Sequence, residues 1–171
     1  MAVLEVHLLG TFHVTLDGEP VTSFATDKAR ALLAYLVAEL DRPHRRDTLA
    51  GLLWPDQPQN KARQSLRQAL SHIRQAIEQE ETANFLLVTR EAVQFNTESD
   101  YDVDVIAFTA LYEATIRHRH RGVGACRTCL KHLEEMTALY RGDFLKGFSL
   151  EDSGEFEEWA LLKREWYHLH I

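Results

Sequence analysis

The chain has 171 residues, 45% of them apolar and 26% charged, with a formal net charge of -7. That length holds one or two compact domains, and the composition is that of a globular protein rather than a disordered or fibrous one. No apolar run approaches the roughly 18 residues of a membrane span, and the start MAVLEVHLLG lacks the basic lead of a secretion signal. Cys126 and Cys129 stand too close to staple a fold, so a reducing, cytoplasmic protein is expected.

The charge is unevenly spread. Arg42 to Arg74 holds seven cations against Asp47 and Asp56, whereas Glu98 onward holds 9 basic and 14 acidic residues. Screening over about 8 Å at physiological salt lets a basic face act independently of acid elsewhere.

In chain order, Leu4, Val6 and Leu8 alternate with Glu5 and His7, and Phe12, Val14 and Leu16 repeat the period of a half-buried strand. Asp17-Gly18 suits a tight hairpin turn, so residues 3–22 are expected to form a small antiparallel sheet. Thr26 or Asp27 can cap a first helix buried through Leu32, Leu33, Leu36, Val37 and Leu40. A short second helix starts near Arg46-Asp47 and stops at Trp54-Pro55, because a residue before proline avoids helical geometry. The polar connector Asp56-Gln57-Pro58-Gln59-Asn60 leads to a third helix over 61–77. Its inward stripe is Ala62, Leu66, Ala69, Leu70, Ile73 and Ile77. Phe85 to Val88 and Val93 to Phe95 then read as a hairpin with Thr89-Arg90-Glu91-Ala92 at its tip.

Glu98-Ser99-Asp100 marks a boundary, giving domains 1–97 and 98–171. Beyond it the pattern is helical. A helix over about 104–119 turns Val105, Phe108, Leu111, Tyr112 and Thr115 inward. A second, from Val123 to Tyr140, ends at Arg141-Gly142-Asp143. A loop with Phe144, Leu145 and Phe148 precedes a third, which starts near Gly154 and carries Phe156, Trp159, Leu162, Trp166 and Leu169. It reaches Ile171 with neither a capping glycine nor a polar tail, so the helical domain is expected to be truncated.

Strands, helix, short helix, connector, long helix and hairpin follow each other as in a winged helix-turn-helix. In that arrangement the long helix enters a major groove about 12 Å wide and the hairpin lies beside it. The burial stripe leaves Arg63, Gln64, Arg67, Gln68, Ser71, Arg74 and Gln75 facing outward, with no acid between Lys61 and Ile77. Arg pairs with guanine and Gln with adenine, each bidentate contact giving about 1–3 kcal/mol of discrimination. Arg90 could reach a minor groove or a phosphate, or be a solvated turn residue. Arg45 and Arg46 could clamp phosphates or be surface charge.

LLGTFHVTLDGEPV, KARALLAYLVAE, LAGLLWPD and ARQSLRQALSHIRQAI resemble the winged-helix domain of SARP-type bacterial transcriptional activators, itself similar to the response-regulator winged helix. YDVDVIAFTALYEA, LYRGDFLKGF and FEEWALLKREW are similar to the start of the bacterial transcriptional activator domain that follows it. The resemblance implies an α+β winged helix with an N-terminal antiparallel sheet and a C-terminal wing, then an all-α, tetratricopeptide-like domain. It implies double-stranded DNA with promoter repeats and RNA polymerase as partners, with a homodimer on DNA open. It places base reading on Arg63, Gln64, Arg67, Gln68 and Ser71, and the wing on Arg90. The connector, with Asp56, Gln57, Gln59 and Asn60, becomes a polymerase-facing loop. Arg45, Arg46, Lys61, Arg74 and Arg90 are the expected phosphate and wing contacts.

Competing signals are weaker. Cys126-Arg-Thr-Cys129 with His118, His120 and His132 suggests zinc, but Cys126, Cys129, Leu130, Leu133, Met136 and Tyr140 share a helical stripe and read as core in mid-helix. The Gly122-Val-Gly124 pair lacks the rest of a phosphate loop. No catalytic residue, metal or cofactor is expected. The alternatives are a protein-interaction module whose winged helix no longer binds DNA, and a metal-dependent enzyme on the Cys/His cluster.

Overall fold

The computed structural model describes residues 2–78, 84–118 and 126–171. The helix start expected near Val123, together with His120, Gly122 and Gly124, lies outside the described residues. The N-terminal strands form as the alternation predicts: β1 (Leu4–His7), β2 (His13–Leu16) and β3 (Glu19–Pro20), all antiparallel. Asp17 and Gly18 both take positive φ, 52° and 83°, the pair of values a type I′ turn needs. A fourth strand, β7 (Tyr101–Val103), pairs parallel with β1 and gives the order β3-β2-β1-β7. The sheet thus draws on both sides of the 97/98 division.

The helices α1 (Asp27–Ala38), α2 (Arg46–Leu53) and α3 (Gln59–Ile77) follow. Thr26 caps α1 by accepting the Ala29 N–H at 3.1 Å. The third helix begins two residues earlier than the sequence pattern suggests, with Pro58 preceding its first turn. Proline's fixed φ and missing N–H cost nothing at a helix entrance, so Gln59 and Asn60 are helical rather than connector. Every residue of its expected inward stripe is buried. The hairpin β5 (Leu86–Val88) and β6 (Ala92–Phe95) stands beside it, and β4 (His44–Arg45) pairs with β6 to make the order β4-β6-β5.

Three more helices follow among the described residues: α4 (Asp104–Arg117), α5 (Arg127–Leu139) and α6 (Gly154–His170). Two expected stripes are corrected. In α6 the buried residues are Phe156, Ala160 and Tyr167, while Leu162 is 60% and Leu169 79% exposed. In α5 Leu130 is 42% exposed and only Cys129 and Met136 are buried. Cys126 and Cys129 are not in mid-helix either, because Cys126 precedes the first turn of α5 and Cys129 lies within it. Among the other aromatics, Phe144 is buried, and Phe148, Trp159 and Trp166 are half-buried against the core.

The helical part is joined to the winged helix by polar contacts as well as apolar burial. Asp104, at the first turn of α4, accepts the Leu8 N–H at 2.9 and 3.0 Å and the Leu9 N–H at 2.8 Å. Gly10 and Gly142 approach so closely that a Cβ on Gly10 would lie 3.3 Å from the Arg141 Cβ. There Leu9 bridges Phe144 and Gly10 N–H donates to Asp143 O. Burial pushes the Glu39 carboxyl up, but Trp159 Nε1 at 3.0 Å, Lys163 Nζ at 2.9 Å and Arg42 hold it below the usual carboxylate range. At the α2–α6 contact, buried Ser153 donates to the Leu53 carbonyl at 2.8 Å and accepts from Lys28 Nζ at 2.6 Å. Ser153→Ala is expected to cost about 1–2 kcal/mol in urea denaturation, as a buried bond is lost and only Lys28 still reaches that carbonyl.

Candidate nucleic-acid interface

The outward side of α3 is free of the helical part among the described residues, since α6 packs against α2 instead. Lys61, Arg63, Gln64, Arg67, Gln68, Ser71, Arg74 and Gln75 are all exposed. Helical spacing divides them. Gln64, Ser71 and Gln75 occupy the crest, Arg67 leans from it toward the wing, Arg63 and Arg74 lie on the wing-side flank, and Lys61 and Gln68 lie on the opposite side.

Between the wing-side flank and the β5–β6 hairpin runs a cleft of about 500 Å³, lined by Arg45, Arg46, Asp47, Arg63, Leu66, Arg67, Arg90 and Glu91. A second hollow of about 450 Å³ continues it past Ser71, Arg74 and Gln75 to Glu78 and Val88. The structure therefore brings together five arginines drawn from the entrance of α2, from α3 and from the wing tip. Short β4 makes this possible, because its pairing with β6 sets Arg45 and Arg46 beside the turn that carries Arg90. Gln68 is not among them. It lines a small hollow with Lys28, Trp54 and His72 on the far flank.

Several of these side chains are held in place. Arg46 Nε donates to the Thr89 carbonyl at 2.9 Å, and Arg46 N–H to the Glu91 carbonyl at 3.0 Å, so the α2 entrance braces the wing turn. Thr89 Oγ1 accepts the Ala92 N–H at 3.0 Å and closes that turn. Arg74 pairs with Glu78 at 3.3 Å, and Glu78 also accepts the Phe85 and Leu86 N–H groups at 2.9 and 3.1 Å, tying the end of α3 to the start of β5. Arg63 forms a two-bonded pair with Asp47, at 2.7 and 3.0 Å. Hydrogen bonding from Arg63 holds the Asp47 carboxyl below its ordinary range, and Asp47 raises the guanidinium in turn. Arg45, Arg67 and Arg90 have no hydrogen bond or ion pair of short range among the described residues.

In the connector, Asp56 is exposed, whereas Gln57 is half-buried and accepts from Ser65 Oγ at 2.9 Å. Asn60 Oδ1 accepts the Lys61 N–H at 2.9 Å. The bracing residues Asp47, Glu78 and Thr89 were missed in the sequence because each acts across a fold contact; an acid facing an arginine flank was the one available signal.

Asp47 is the carboxylate that pairs with Arg63 in the main cleft. Asp47→Asn is expected to release Arg63 and remove a charge facing the backbone, tightening binding to arbitrary duplex about three- to tenfold at about 0.1 M salt. Titration of a labelled duplex checks this. The melting temperature should hardly move, since an exposed pair contributes little to stability.

A sheet, three helices with the third exposed, and a braced wing define a winged helix-turn-helix, here continued by three helices. Residues 21–93 match the family described as Transcriptional regulatory protein, C terminal. Over 74 residues, 43% of the chain, it is 40% identical to the transcriptional regulatory protein EmbR of Mycobacterium bovis and of Mycobacterium tuberculosis, a match covering 19% of those proteins. A solved structure of Mycobacterium tuberculosis EmbR in complex with a low-affinity phosphopeptide aligns with 99% of the chain, at a TM-score of 0.77 and 27% identity, and 44% of that structure's chain is covered. The chain thus spans less than half the length of the relatives it matches. It is a homologue and structural neighbour of a transcriptional regulator, in keeping with the SARP-type resemblance and the α+β winged-helix fold expected from the sequence. No helix among the described residues is long and apolar enough to cross a membrane.

Proposed function

We propose that this chain reads duplex DNA through the outward side of α3 and acts as the DNA-binding part of a transcriptional activator. The observation that carries the reading is the arginine-lined cleft between α3 and the wing, whose lining includes no residue of the helical part. An α-helix with side chains is about 10–12 Å across and fills a major groove about 12 Å wide. In this reading Gln64 and Ser71 on the crest and Arg67 beside it toward the wing face base edges, with Arg63 and Gln68 at either margin. Arg45, Arg46, Lys61, Arg74 and Arg90 bind phosphates on the two sides of the groove. Arg46 and Arg74 do so from positions fixed by backbone carbonyls of the wing strands and turn.

The finer assignments rest on resemblance. Promoter repeats would supply the site, and Asp56, Gln57, Gln59 and Asn60 would face RNA polymerase in the cytoplasm. Residues 1–97 and 98–171 would be two units sharing the N-terminal sheet, with the second buttressing the first. The polar seam around Asp104 and Ser153 supports a fixed arrangement of the two.

Selection of bound duplexes from a random pool tests the reading and yields the site, its spacing and the copies bound. On the selected site, Arg67→Ala is expected to lose about 1–3 kcal/mol of discrimination at one base pair. An equal loss on all duplexes would place Arg67 on a phosphate. Absence of any enriched sequence at moderate salt would remove the proposal and favour a protein-interaction module.

A further inference from the structure

The end of α4 and the start of α5 meet at a cluster that DNA recognition does not use. His118 follows the last residue of α4, Cys126 precedes α5, and Cys129 lies in its first turn. The His118 Nδ1 atom is 3.2 Å from the Cys126 Sγ and 3.4 Å from the Cys129 Sγ. All three donor atoms lie within 4.8 Å of one another. His118 is exposed, Cys126 half-buried and Cys129 buried, so the cluster is anchored in the core and open at its mouth.

We propose that His118, Cys126 and Cys129 form a zinc(II) site that fastens α4 to α5. A tetrahedral zinc ion with bonds of about 2.3 Å to sulfur and 2.0–2.1 Å to nitrogen separates its ligand atoms by roughly 3.6–3.8 Å. The sulfur–nitrogen separations fall short of this by a few tenths of an ångström, a change that side-chain rotation absorbs. Two thiolates and an imidazole are ligands such an ion takes from proteins, whereas hard cations such as magnesium prefer oxygen ligands to this nitrogen and sulfur set. Binding replaces the two thiol protons, which pass to solvent. Neutral His118 gives its Nδ1 lone pair and keeps its proton on Nε2. The ion's two positive charges are then cancelled by the two thiolates, and the positive end of the α5 dipole lies beside those sulfurs. A water fills the fourth position. The three residues come from both sides of the 119–125 connection, so occupancy closes a loop and stabilises the α4–α5 pair in proportion to metal affinity.

A helix starting at Val123, as the sequence pattern suggests, would place both cysteines in mid-helix. The observed start at Arg127 puts them at its entrance instead.

The test uses the whole chain, reduced with a phosphine and stripped with a chelator, then titrated with cobalt(II) alone. One equivalent is expected to produce a thiolate-to-cobalt charge-transfer band and the intense visible bands of tetrahedral cobalt, both erased by zinc. Cys126→Ser and Cys129→Ser should each lose the charge-transfer intensity of one sulfur and bind about tenfold or more weakly. Buried Cys129 could destabilise α5 when replaced, so exposed His118→Gln is the deciding variant. It should keep the wild-type far-UV circular dichroism while weakening cobalt binding about tenfold or more. Zinc should also raise the melting temperature of the wild type and not that of His118→Gln. No charge-transfer band, or identical titrations for wild type and His118→Gln, would overturn the site. Cysteines that only form a disulfide in air and take up no metal when reduced would overturn it equally. Neither result bears on DNA binding, whose residues lie on α3 and the wing.

Discussion

Replacing Arg45, Arg67 and Arg90 together with alanine is expected to lower affinity for the selected duplex by roughly two orders of magnitude or more at about 0.15 M salt. The three are exposed, lie around one cleft and, among the described residues, hold no short-range partner that would keep them from a phosphate or a base. Each cation that neutralises a phosphate releases counterions, so the slope of log K against log salt should flatten by about 0.9 for each phosphate contact removed. If Arg67 reads a base, roughly two such units are lost, and the remainder appears as lost discrimination. Lysine at all three positions separates the effects. It restores most of the salt dependence, but not the base preference at the Arg67 position, because an ammonium cannot make the two parallel bonds of a guanidinium. Folding should be unaffected, as none of the three braces the wing; Arg46 does that.

A second large effect is expected at Asp104, where the winged helix meets the helical part. Burial pushes its carboxyl up to about 6, against the opposing pull of the Leu8 and Leu9 N–H donors. In the unfolded chain the same group titrates near about 3.9. The folded state therefore holds the proton more tightly. The resulting stabilisation is fully present below about pH 4 and is lost as pH rises through about 6. A shift of about two pH units corresponds to about 3 kcal/mol. The stability difference between wild type and Asp104→Asn, from denaturant titrations at pH 7.5 and pH 4.5, should move in favour of the wild type by about 2 kcal/mol on acidification. Asp104→Ala should cost about 2–4 kcal/mol even at neutral pH, because two buried N–H groups at the end of β1 lose their acceptor. A flat difference across that range would mean that Asp104 is not desolvated, and that the contact between the two parts is looser than its hydrogen bonds imply.

The DNA-facing side was legible in the sequence because α3 is long enough for its period to be unmistakable. Seven apolar positions are buried and most of the polar remainder is exposed, with Ser65 and His72 half-buried. The Thr26 cap and the Asp17-Gly18 turn were legible for a local reason, since each acts within three residues of itself. Strands β4 and β7 were not, because two or three residues show no alternation and are fixed only by their partners β6 and β1. In α6, assigning apolar residues inward misplaced Leu162 and Leu169, because burial there follows Phe156, Ala160 and Tyr167. The Arg63–Asp47 pair was hidden in a different way. Both residues were noted for their charge, but a contact between α2 and α3 cannot be read from either helix alone.

The most direct measurement is amide chemical-shift mapping of the chain as a selected duplex is added. Shifts should concentrate at Arg45 to Asp47, along Lys61 to Gln75, and at Thr89 to Glu91, leaving α4, α5 and α6 nearly unchanged. Perturbation of the α4–α6 surface with a silent α3 would contradict the account.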